Sequence, residues 1–223
     1  FTETKFESAV DMKTALQTGK PCLLAVYDIV IRDDGRVSAN RIGENDTANG
    51  KKRYAYFMTA EDSDRFNGQS YVDTLSSEAI KKFISVTHEK YKKAVGDEFG
   101  KTINTIFTDE PQFTARVPLS SAKSDKDGVI PYTEKFGEEF LKVNKYDILD
   151  KLPDLFYETG TEKKTRYDFY NLITGMFANA FSETIGKWCD ENGINLTGHM
   201  MQEDNLEIQT RWIGEAMRHY KYF

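Results

Sequence analysis

Ile103-Asn104-Thr105-Ile106-Phe107-Thr108-Asp109-Glu110-Pro111 is the stretch on which the fold turns. A short apolar run of β character leaves a glycine-terminated helical pattern and ends in two carboxylates and a proline. The same design returns at Gly193-Ile194-Asn195-Leu196-Thr197-Gly198-His199, with Glu203 just beyond. A strand, a long helical segment and a second strand of the same direction require a crossover connection, so the two runs read as parallel neighbours.

Outward from these strands the pattern is helical. Ser76 and Glu78 open a helix carrying Ile80, Phe83, Ile84, Tyr91 and Val95 at helical spacing. Pro118 to Gly128 is rich in Ser, Lys and Asp and reads as an exposed loop. Thr133 caps a helix with Phe136, Phe140 and Leu141, and Leu152 to Phe156 leads into a short helical piece. The longest helix runs from Thr161 to Asn192, with Tyr167, Tyr170, Ile173, Phe177, Phe181, Ile185 and Trp188 on one stripe, and Gly193 stops it. A further helix over roughly 204–218 follows, and Tyr220 to Phe223 reads as the start of a strand. Upstream, Leu23 to Ile31, the turn Asp33-Asp34-Gly35, the turn Asn49-Gly50 and Arg53 to Met58 spell a small antiparallel sheet. Residues 6–17 fit either a short helix or a hairpin limb.

The expected fold is therefore α/β. Residues 66–223 read as part of a (β/α)8 TIM-type barrel, and residues 1–65 as an antiparallel β excursion. A doubly wound nucleotide fold is the rival, but no G-x-G-x-x-G or G-x-x-x-x-G-K-[ST] follows any strand. In a barrel the chemistry gathers at strand C-termini, which is where the acids stand.

Composition narrows the partners. A net charge of -6 and a pI near 5.3 argue against nucleic acid, which needs a basic face. No apolar run approaches the ~20 residues of a membrane-spanning helix. Phe1-Thr2-Glu3-Thr4 has neither a charged nor an apolar leader character and no Met, so the chain reads as an excised segment or a mature form, and a compartment does not follow from it. Cys22 and Cys189 sit in apolar surroundings far apart in sequence and read as two buried reduced thiols.

The acids at the strand ends carry the chemistry. Packing gives no reason to end an apolar strand in two carboxylates, because a buried acid costs several kcal/mol unless paired. Glycoside hydrolysis needs two carboxyl groups flanking the scissile bond, one as acid and one as base or nucleophile. Glu110 and Glu203 supply that pair as expected catalytic residues. Asp109 beside Glu110 and His199 after Thr197-Gly198 are expected to bind substrate, as are Asn67, Asp73 and His88, although Asn67-Gly68 is first of all a turn and His88 lies mid-helix. Neither a nucleophile elbow nor zinc spacing such as H-E-x-x-H is present. Asp109, Glu110, His199 and Glu203 together also suit Ca²⁺ or Mg²⁺ through oxygen ligands, although the two-carboxylate reading needs no cofactor.

At these residues a resemblance emerges. The order Phe66-Asn67-Gly68-Gln69-Ser70-Tyr71-Val72-Asp73-Thr74-Leu75, then Thr87-His88-Glu89, then Ile106-Phe107-Thr108-Asp109-Glu110-Pro111, then Trp188-Cys189 with Leu196-Thr197-Gly198-His199 and Glu203, is similar to the catalytic barrel of large bacterial glycoside hydrolases near the α-L-rhamnosidases of family 106, loosely family 2-like. The resemblance implies a glycosidase acting on a plant or microbial glycan, with Glu110 and Glu203 catalytic, Asn67, Asp73, His88 and His199 around the sugar, and a calcium ion near the substrate. Family members are much longer, so the chain would represent a segment of such an enzyme. The alternatives are a carbohydrate-binding barrel without catalysis and a metal-dependent sugar-processing barrel enzyme.

Overall fold

The computed structural model describes residues 1–223. In chain order the elements are α1 (Met12–Thr18), β1 (Cys22–Ile31), β2 (Val37–Ile42), β3 (Lys51–Phe57), α2 (Ser77–Val86), α3 (His88–Val95) and β4 (Thr105–Asp109). Then come α4 (Phe136–Asn144), α5 (Ile148–Lys151), α6 (Glu162–Phe177), a π-helical turn (Ala178–Glu183), α7 (Thr184–Glu191), β5 (Asn195–His199), α8 (Leu206–Trp212) and α9 (Met217–Tyr220). The chain forms two compact units, each made of two segments: 1–71 with 116–169, and 72–115 with 170–223. The expected division at 65/66 falls shortly before the first of these breaks.

In the first unit β1 lies at the centre of a three-stranded antiparallel sheet, order β2-β1-β3. Its middle, Ala25 to Ile29, is buried throughout, with Tyr27 fully enclosed and its hydroxyl donating to the Leu149 carbonyl at 2.6 Å. The Asn49-Gly50 turn is fixed by Asp28, whose carboxylate accepts from both backbone N–H groups at 2.9 and 2.8 Å. Arg53 is buried in β3; it pairs with Glu3 at 3.1 Å and donates to the carbonyls of Lys126 and Ser124, which anchors the 118–128 loop. Phe136, Phe140, Ile148 and Phe169 complete this core.

The second unit is helical around a two-stranded parallel sheet of β4 and β5. Thr105 pairs with Asn195 and the register runs unbroken to Asp109 with His199. Ile80, Ile173, Phe177, Ile185, Cys189 and Leu196 form its core, and Phe113 packs edge-on to Phe177 with ring centroids 5.7 Å apart. Gly198 lies at φ 143°, and a Cβ there would stand 2.0 Å from the Thr108 carbonyl oxygen. The two strands approach so closely at this point that only glycine fits.

The barrel is not what forms. The five strands make one antiparallel sheet of three and one parallel sheet of two, and no eight-stranded barrel closes. The physical reason lies in the connection from β4 to β5: residues 116–169 pack in the first unit, where Phe136, Phe140 and Phe169 are buried, instead of supplying a strand and helix beside β4. The segment after Asn67 is a turn in which Asp73 accepts from the Leu75 N–H, and Tyr220–Phe223 finishes α9 and a turn rather than opening a strand. The longest helical run holds from 162 to 191 but passes through π geometry at 178–183, and the 76–95 helix breaks at Thr87. Both cysteines are buried free thiols.

Candidate active site at the ends of β4 and β5

Parallel pairing brings the end of β4, with Asp109, beside the end of β5, with His199. Asp109 is the register partner of His199, and its Oδ1 lies 3.0 Å from His199 Nε2. The ladder continues one residue further, the Glu110 N–H donating to the His199 carbonyl at 3.0 Å. Pro111 then accepts from the Met201 N–H, so the loops leaving the two strands stay together.

Glu110 adopts φ 50°. That is the left-handed region, unfavourable for a side chain with a Cβ, and the proline that follows disfavours helical backbone as well. Gln202, immediately before Glu203, is also left-handed at φ 55°. Strained backbone therefore stands at one expected catalytic carboxylate and next to the other. Glu203 is held by its own turn: its Oε2 accepts from the Met200 N–H at 2.8 Å, and its carbonyl accepts from the Gln209 side chain.

The remaining expected residues are distributed differently. Asp73 belongs to the turn before α2, and its neighbour Thr74 donates to the Gln112 carbonyl at 2.7 Å, which ties that turn to the loop after Glu110. The Gln112 side chain is buried with its Oε1 unpartnered. His88 is buried at the start of α3, edge-on to the rings of Phe83 and Trp188. Burial holds its pKa below the ordinary imidazole value, against the pull of Glu89, so it sits as a neutral ring. Asn67 lies in the first unit, left-handed at φ 58° as the cap of a 3₁₀ turn.

Sequence reading passed over Phe107. Side chains alternate along a strand and in-register partners share a face, so Thr105, Phe107 and Asp109 line up with Asn195, Thr197 and His199 on one side of the sheet. Phe107 is 61% exposed on that side, its ring 5.8 Å from the His199 imidazole. Counting back by two from Asp109 was the signal that would have found it. On the opposite face Leu196 is buried, and Ile106, Thr108 and Gly198 are half-buried.

No group of three or more His, Cys, Asp or Glu side chains gathers as a metal site would need. Asp109, Glu110, His199 and Glu203 do not form such a set. A cleft of about 560 Å³ lies in the first unit, lined by residues such as Arg32, Arg36, Asp150 and Asp154, and holds none of the candidate residues.

No protein-family model matches the chain. Nor does any curated protein match it significantly. Among solved structures, a rhamnosidase from Novosphingobium sp. PP1Y shares its backbone path with a TM-score of 0.52 and 16% identity, over 86% of this chain. The chain spans 17% of that protein's length. At this identity the likeness is one of fold.

Proposed function

We propose that the chain is the carboxylate-bearing portion of a glycoside hydrolase, in which Glu110 and Glu203 act on a glycosidic bond as acid and as base or nucleophile. The observation that supports this reading best is the parallel register of β4 and β5, which puts Asp109-Glu110 beside His199 and joins their loops through Pro111 and Met201. A fold shared with part of a rhamnosidase is the second support. One carboxyl group protonates the departing glycosidic oxygen as the bond to the anomeric carbon breaks. The other, ionised, either activates water or attacks that carbon itself. Asp109 and His199, paired and exposed, serve to hold hydroxyl groups of the sugar.

Hydrolysis of aryl glycosides, an aryl α-L-rhamnoside among them, by the protein carrying this chain tests the reading. Glu110→Gln and Glu203→Gln are each expected to lower turnover by about 10²–10⁴-fold while leaving unfolding unchanged. Wild-type turnover in either variant removes that residue from the chemistry. Saccharide binding with no hydrolysis by the wild-type protein would favour a carbohydrate-binding module in its place.

A further inference from the structure

The open face of the β4–β5 sheet carries one large apolar group that packing does not use. Phe107 is 61% exposed although it lies mid-strand, and its neighbours on that face are polar: Thr105, Asp109, Asn195, Thr197 and His199. A lone aromatic ring among hydrogen-bonding groups is a poor core for a protein interface, which gathers several apolar side chains at its centre. It does match a pyranose. Such a ring has one face of C–H groups, suited to the electron-rich face of an aromatic side chain, and a rim of hydroxyls that need donors and acceptors.

The spacing supplies that rim. Asp109 lies two residues beyond Phe107 on the same face, roughly 7 Å along the strand, about the reach of a pyranose and its exocyclic oxygens. Asp109 gives one carboxylate oxygen to His199 Nε2, which leaves its Oδ2 as an acceptor and the Nδ1 of His199 for a second hydroxyl. The His199 and Phe107 rings also form a T-shaped pair, centroids 5.8 Å apart at an interplanar angle of 64°.

We infer that Phe107 is a specificity-determining platform on which a sugar ring of the substrate lies flat, with the Asp109–His199 pair gripping its hydroxyls. The inference rests on the glycoside reading above. It adds a binding group to that reading.

Saturation-transfer NMR on the 223-residue chain with L-rhamnose, D-glucose and D-galactose tests it, using Phe107→Ala and Phe107→Trp. At least one sugar is expected to bind, with affinity falling about tenfold or more in Phe107→Ala and surviving in Phe107→Trp, as loss and replacement of a stacking ring predict. Circular dichroism checks that both variants fold. Equal binding by wild type and Phe107→Ala overturns the platform and leaves the glycoside reading standing. Loss of binding in a folded Phe107→Trp also overturns it, because the larger ring keeps the stacking surface. If no sugar binds the wild-type chain, the platform and the saccharide site fall together.

Discussion

Glu110 holds left-handed backbone immediately before a proline, a place where glycine would rest at lower energy. Holding a glutamate in that region costs roughly 1–2 kcal/mol of steric energy. Glu110→Gly is accordingly expected to raise unfolding stability by about 1 kcal/mol, read as a higher urea midpoint, while abolishing turnover. A destabilised variant would show that the Glu110 side chain holds the fold. The same residue scale explains what sequence reading reached and missed. Asp109, Glu110 and His199 stood out because acids at the end of an apolar strand are conspicuous. Phe107 did not, because an aromatic in a strand is ordinarily core, and only the exposed sheet face reveals otherwise.

Among the elements, β4 and β5 were legible as strands, and so was their parallel relation, since period, glycine stops and acid termini agreed. Two features were not. Helical spacing reads across Thr87 without interruption, yet the backbone there turns to φ -120° and ψ -72° and starts a new helix with His88 buried. The π-helical turn at Ala178–Glu183 is equally silent, because both its flanks keep apolar residues inward. The contact that seats β5 on β4 is Gly198 against the Thr108 carbonyl, where a Cβ would stand at 2.0 Å. Gly198→Ala is expected to cost about 3 kcal/mol by forcing the strands apart. Hydrogen exchange should show it as lost protection of the Glu110 amide, whose acceptor is the His199 carbonyl. Unchanged protection would mean that the pair tolerates the methyl group.

At the scale of the whole molecule the barrel expectation failed because spacing along the chain does not say which core a helix joins. Residues 116–169 carry the helical pattern of a barrel layer and bury it in the first unit. Stability at this scale also depends on protons. His219 is fully buried, its Nδ1 2.8 Å from the Ser182 hydroxyl. Burial lowers its pKa from 6.5 to about 4, and His88 is displaced the same way. Between these values the unfolded chain binds the proton and the folded chain does not, so stability is complete above about pH 6.5 and declines as pH falls toward 4. The His219 contribution to that decline is about 3 kcal/mol. Urea unfolding at pH 7 and pH 4.5 should show the loss in wild type and a smaller one in His219→Asn; equal losses would place the proton uptake elsewhere.

The pairing of Thr105 with Asn195 has a temporal consequence. Joining strands so distant along the chain means closing a very long loop before any hydrogen bond rewards it, and such contacts form slowly compared with helices. During synthesis β4 emerges with Asp109 and Glu110 in place, but their partner strand arrives only near the end of these residues. The β4–β5 pair, with Asp109 set against His199, thus forms late, and a chain that has not yet made β5 carries Asp109 and Glu110 without the strand they pair with.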